Sequence, residues 1–296
     1  YHRAHGSHVV LAGARSQVVC RSRYTEDALA AAVEAGTRQY VILGAGLDSF
    51  AYRSYLSDRV RTFEVDQQDT QAAKRARLAA ARMPEPDNVT FVPVDFEAAS
   101  LGSDLAAAGL DLSEPAFVSW LGVTMYLTQE AIGQSLAELG TLAPGSQVIA
   151  DYMLPAALRD DAGNTYVELV APVSAERGEP WLSFLSPEQM SALLTSHGLT
   201  PLRHVRQRDI GDEATWNRSD ALRPNQLSLL AHAAITQLHG SQQAGLHVSQ
   251  QAGQERARGP RAVDLQPPDL TARGGDTDIE RLRHVACAQR RLDQPA

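Results

Sequence analysis

Two periodicities divide the first 235 residues of the chain. Short apolar runs such as YVIL at 40–43, TFEV at 62–65 and AFVSW at 116–120 read as buried strands, bounded by Gly, Pro or acidic residues. Between them lie longer Ala-, Leu- and Arg-rich stretches with helical spacing. Thr25 and Gly36 frame a helix over 26–35, as an N-cap and a C-terminal stop. A strand over 38–46 runs into a glycine turn, and a short helix over 49–56 follows. Residues 61–66 form a second strand that ends on Asp66, and QDTQAAKRARLAAARM (68–83) a helix that Pro84 stops. Strands over 88–96, 116–123 and 146–153 alternate with helices over 104–110 and 129–142. A polar stretch over 155–180 reads as irregular and is too long for an ordinary connection, so an insertion or lid is expected over 155–182. Ser186-Pro187-Glu188 opens a further helix, with Pro at its first position. Two last strands are predicted over 200–206 and 227–235.

Such alternation predicts a parallel sheet with helices on both faces: an α/β, Rossmann-like architecture. The organisation expected is a short N-terminal cap segment over 1–23, one domain over 24–236 and a tail over 237–296. In the tail, Gln, Arg, Gly, Pro and Asp dominate without period, which predicts disorder, with one short helix over 279–291.

Composition narrows the functional classes. A formal net charge of −8 argues against a partner held through phosphates, which calls for a basic face. Cys20 and Cys287 lie far apart without ligand-like neighbours, so neither a disulfide framework nor a metal site is expected. No apolar run approaches the roughly 20 residues that span a bilayer, and the N-terminus lacks the long apolar region of a signal peptide. These features lead to the expectation of a cytoplasmic protein without membrane or nucleic-acid partners. The single lysine, Lys74, beside many Arg and Ala residues, reads as coding bias.

The candidate chemistry lies in VILGAGLDSF (41–50). A strand that enters Gly-x-Gly and then a helix brings backbone close to a ligand at the carboxyl edge of a sheet. Gly44 and Gly46 permit that approach, although glycines also serve ordinary tight turns. Asp66 closes the second strand about 20 residues later, where an acid is placed to accept from ribose hydroxyls. A dinucleotide fingerprint would have a third glycine where this chain has Ser49, preceded by Asp48. A carboxylate at a helix mouth repels a pyrophosphate, whereas S-adenosyl-L-methionine carries no phosphate and is cationic at sulfur and nitrogen. Asp95 and Phe96 end the third strand at the same edge, as a possible acceptor for an adenine amino group and a ring to pack on it. In SWLGVTMYLT (119–128), Gly122 allows close approach, and Trp120 and Tyr126 are candidates to wall an acceptor site.

Taken together, RSRYTEDAL, QYVILGAGLDSFAYR, FEVDQQDTQAAKRARL, FVPVDFE and SWLGVTMYLT resemble a family of bacterial S-adenosyl-L-methionine-dependent methyltransferases, well known from mycobacteria. That family is related to leucine carboxyl methyltransferases and polyketide O-methyltransferases. The resemblance extends from about Val18 to Ile235. It implies a class I methyltransferase fold, with a mainly parallel seven-stranded sheet whose last strand is antiparallel, and methyl transfer to oxygen. It also implies ribose binding by Asp66, Asp95 and Phe96 about the adenine, Gly44 at the methionine moiety, and Arg21 or Arg23 at the donor's carboxylate. Three departures stand out: a shorter segment before RSRY, Leu121 where the leucine carboxyl branch carries Glu, and a tail without counterpart.

The expected function is methyl transfer from S-adenosyl-L-methionine to a carboxylate or hydroxyl of a small molecule. Two alternatives stay open: a protein that binds the donor without catalysis, and an NAD-dependent oxidoreductase. No catalytic base stands out, and His197, His204 and His232 read as structural rather than catalytic.

Overall fold

The computed structural model describes residues 9–96, 101–217, 219 and 222–236. By its internal packing the chain divides into two units, 1–237 and 238–296, and the described residues all lie in the first. The expected disorder of the tail, its helix over 279–291 and Cys287 lie outside the described residues.

Seven strands form one sheet among the described residues: β1 (Gln39–Leu43), β2 (Arg61–Asp66), β3 (Val89–Pro93), β4 (Ala116–Trp120), β5 (Gln147–Met153), β6 (Leu199–Arg206) and β7 (Ser228–Ile235). Their order is β3-β2-β1-β4-β5-β7-β6. The pairs among β1 to β5 are parallel, while β7 runs antiparallel between β5 and β6. This is the α/β, Rossmann-like sheet expected from the sequence pattern, with the antiparallel last strand that the family resemblance implied.

Alternation along the strands creates two cores. Val41, Leu43, Phe63 and Val65 point to one face, under α4 (Leu101–Ala107), α5 (Gln129–Leu139) and α7 (Pro187–Ser196). Tyr40, Ile42, Phe117 and Ile149 point to the other, under α1 (Val9–Glu34) and α2 (Phe50–Arg53). The helix after β2, α3 (Gln68–Ala80), is polar and buries only Gln71 and Lys74. A last short helix, α8 (Glu213–Trp216), precedes β7.

The structure corrects the sequence reading at two places. The helix expected to start at a Thr25 cap is continuous from Val9 to Glu34, so no boundary falls at residue 23. Thr25 is a buried interior residue. Two polar residues that precede Thr25 are satisfied far away in the chain, which lets the helix run through them: Arg21 by Asp151, and Tyr24 by His232. The stretch over 155–180 is also not irregular, since it holds the 16-residue helix α6 (Asp161–Glu176). Asp160 caps α6, accepting from the Gly163 N–H at 2.7 Å and from the Gln226 N–H at 3.0 Å.

Candidate functional site

Strand order reverses between β1 and β4, and in open α/β sheets the crevice at such a switch point, at the carboxyl ends of the strands, is where ligands bind. Gly44 leaves β1 with φ +66°, and a Cβ there would come within 2.2 Å of Val123 Cγ2. Across the switch point Gly122 leaves β4 with φ +77°, where a Cβ would meet Arg21 Nη2 at 2.7 Å. Both positions need glycine for conformation, and Gly44 for space as well; at Gly122 the Arg21 guanidinium would have to move.

Asp66 organises the glycine turn. Its carboxylate accepts from the Gly46 N–H at 2.6 Å and from the Gln67 N–H at 2.8 Å. Asp48 does the same one step later: its Oδ1 accepts from the Phe50 N–H at 2.7 Å. The first N–H of α2 is thereby taken by a carboxylate and not presented to a ligand anion. Burial raises the Asp48 pKa, with Lys74 and Arg53 opposing it.

Arg21 reaches the same edge from α1. Its Nη1 donates to Asp151 Oδ2 at 2.8 Å, and the other oxygen of Asp151 accepts from the Gly122 N–H at 2.7 Å. Asp151 is 1% exposed, so this carboxylate fixes both the turn after β4 and the guanidinium. Sequence reasoning missed Asp151. It sits inside a strand, 130 residues from its partner, and its one local signal is an acid in an otherwise apolar run. Arg23, the other candidate, is on the outer side of α1 in an exposed pair with Asp27.

The remaining candidates separate. Asp95 is exposed just beyond β3. Phe96 is buried and stacked on Trp120, with centroids 6.4 Å apart. Trp120 is fully enclosed in the core, so it does not line the edge as a wall. Tyr126 ends the single turn Thr124–Tyr126 and joins a cluster with Met125, Met153, Leu227, Tyr166, Trp181 and Phe184. Tyr166 of α6 stacks on Trp181 at 6.4 Å. An aromatic surface supplied partly by α6 therefore covers the segment after β4. Burial pushes the Tyr166 hydroxyl up to about 12.

Among the described residues, His204 and His232 have structural partners. Both nitrogens of His204 are engaged, with Tyr152 and Ser191, and both of His232, with Tyr24 and Gln147. His197 closes α7. Among the described residues no group of His, Cys, Asp and Glu could hold a metal ion, and no helix is long and apolar enough to cross a membrane.

Comparison with known proteins gives this geometry a family. The family model for leucine carboxyl methyltransferase matches residues 2–140. YktD of Bacillus subtilis, named as an S-adenosyl-L-methionine-dependent methyltransferase, is 34% identical over 206 residues, which are 69% of this chain and 67% of YktD. The chain belongs to this methyltransferase family. A Frankia alni member is 36% identical over 132 residues, 44% of this chain and 46% of its own. A Mycobacterium member is 36% identical over 148 residues, 49% of this chain and 47% of its own. The chain thus spans about half the length of these two relatives. A Thermobifida fusca crystal structure described as a methyltransferase shares the fold, with a TM-score of 0.55 at 20% identity over 75% of this chain and 82% of that one.

Proposed function

We propose that this family member transfers the methyl group of S-adenosyl-L-methionine to a carboxylate or hydroxyl oxygen of a small molecule. The observation that carries the reading is the carboxyl-edge constellation of Gly44, Gly46 and Asp66 facing Arg21, Asp151 and Gly122. Its chemistry fits a cationic donor without phosphates. The helix mouth that would hold a pyrophosphate is capped by Asp48, and the upward pKa shift of that half-buried acid is what a nearby cation offsets.

Within this reading Asp66 keeps lone pairs for the ribose hydroxyls, and Asp95 accepts from the adenine amino group. Arg21, held by Asp151, offers its remaining donors to the donor's carboxylate. Gly44 and Gly122 let backbone approach the methionine moiety. Phe96 supports the adenine side from the core, through its stacking on Trp120. When bound, S-adenosyl-L-methionine supplies an electrophilic methyl: a lone pair of the acceptor oxygen forms the new C–O bond as the C–S bond breaks, and the sulfonium leaves as a neutral thioether. Much of the acceleration comes from holding acceptor and methyl in line. A carboxylate acceptor needs no base, which agrees with the engagement of both ring nitrogens of His204 and of His232 in structural hydrogen bonds. The aromatic surface of Tyr126, Tyr166, Trp181 and Phe184 is the part of the chain suited to seat an apolar acceptor body. A hydroxyl acceptor would pass its proton to water or to a base of its own.

Isothermal titration with S-adenosyl-L-methionine and with NAD, followed by turnover on a panel of small carboxylates and phenols, tests the proposal. Saturable donor binding and formation of S-adenosylhomocysteine are expected. Donor binding with no turnover on any acceptor would favour a binding protein, and binding of NAD alone would overturn the reading.

A further inference from the structure

Lys74, the chain's single lysine, lies on α3 and is 3% exposed. Its Nζ donates to Glu64 Oε2 at 2.5 Å and to the Asp48 carbonyl oxygen at 2.7 Å. Glu64 is 1% exposed, and its second oxygen has no hydrogen-bond partner among the described residues. Burial pushes the Glu64 carboxyl up, and the Lys74 ammonium opposes that.

Such a pair is a poor device for stability. Desolvating two charges costs about as much as their attraction returns, and apolar replacements of similar size are often neutral. Nor is it needed to join α3 to the sheet. Gln71, one turn earlier, already donates to the carbonyl oxygens of Glu64 and Val92, each at 2.9 Å. What Lys74 adds, and Gln71 does not, is a hydrogen bond to a backbone carbonyl of the loop after β1. Besides main-chain bonds from the Gly44 and Ala45 N–H groups to the Val65 carbonyl and from the Asp48 N–H to the Ala45 carbonyl, side chains hold that loop at three points: the Gly46 N–H on Asp66, the Phe50 N–H on Asp48, and the Asp48 carbonyl on Lys74. The first two fix N–H groups, and Lys74 fixes the peptide carbonyl between them. An ammonium suits the task because it donates in several directions, here to a carboxylate 10 residues away and a carbonyl 26 residues away. Glu64 neutralises it, so that it does not present a bare cation beneath a cationic donor.

We propose that Lys74 is a positioning residue of the donor site, holding the loop over 44–49 in the conformation that receives S-adenosyl-L-methionine, with Glu64 as its buried counter-charge. This rests on the reading above that the donor binds at this edge.

The test uses the full chain. Lys74→Met alone strands the Glu64 charge and is expected to lower stability strongly. The informative variant is therefore Lys74→Met with Glu64→Met, which removes the pair without leaving an unpaired charge. Its melting temperature should stay near that of the parent. Its S-adenosyl-L-methionine Kd should rise about tenfold, the order of one charge-assisted hydrogen bond. Amide exchange at Gly46, Asp48 and Phe50 should quicken while exchange in β4 and β5 is unchanged. Lys74→Arg, which keeps the charge but shifts the donors, should fall between parent and double variant in both readouts, and it carries the test if the double variant does not fold. Parental Kd and parental loop exchange in these variants would overturn the proposal. If the parent does not bind S-adenosyl-L-methionine at all, the donor reading fails, and the exchange measurement still decides whether Lys74 holds the loop.

Discussion

Asp66 serves the glycine turn and, in the proposed function, the donor as well. Asp66→Ala should weaken S-adenosyl-L-methionine binding by at least a neutral hydrogen bond, about 0.5–1.5 kcal/mol, measured by titration of the folded variant. Unchanged affinity would remove Asp66 from the site. Gly122→Ala carries two penalties: a φ of +77° and a Cβ 2.7 Å from Arg21 Nη2. It should destabilise the chain by about 1 kcal/mol or more in urea unfolding, and it should displace Arg21. Unaltered stability would show that the turn after β4 is more accommodating than its geometry says. At this scale the sequence was partly legible. Gly44, Gly46, Asp48 and Asp66 announce themselves because one strand-turn-helix segment and the end of the next strand hold them together. Asp151 and the role of Lys74 do not, since each is defined by a partner that only the fold brings near. The different surroundings of Arg21 and Arg23 were likewise hidden, since the rotation of α1 turns one inward and the other to solvent.

Single elements were the least readable level. Helix α1 is docked along its length: Ser16, Gln17, Arg21 and Tyr24 hydrogen-bond to Gln207, Ser228, Asp151 and His232. A polar residue that is satisfied at long range looks from sequence like a break. One of these links gives a pH prediction. His232 has its ordinary pKa of about 6.5 when unfolded, and in the folded chain burial and Arg203 hold it down at about 4. Above pH 6.5 it is neutral in both states and costs nothing. As pH falls from 6.5 to 4 the unfolded chain takes up a proton that the folded chain refuses, and stability is lost, by about 2–3 kcal/mol at pH 4.5. Urea unfolding at pH 7 and pH 4.5 should show that loss in the parent and less of it in His232→Gln. An equal loss in both would place the acid sensitivity elsewhere. For α6, Asp160→Ala removes a cap that serves two N–H groups and should cost about 1–2 kcal/mol. A thermal melt with the parental midpoint would contradict the docking of α6 described above.

For the whole molecule the sequence was most informative, because strand and helix periods alternate over 200 residues and leave few topologies. The mainly parallel sheet agrees with that reading and the antiparallel β7 with what the family resemblance implied, whereas the strand order and the switch point between β1 and β4 came only with the fold. Acceptor identity was not legible, since the surface that would choose it is assembled from Tyr126, Tyr166, Trp181 and Phe184 on separate elements. The central claim is that the β1–β4 crevice takes S-adenosyl-L-methionine and not a dinucleotide. Parallel calorimetric titrations of the full chain with the two ligands test it most directly. The account predicts saturable, one-to-one binding of S-adenosyl-L-methionine and no heat from NAD; binding of NAD with none of S-adenosyl-L-methionine would contradict it.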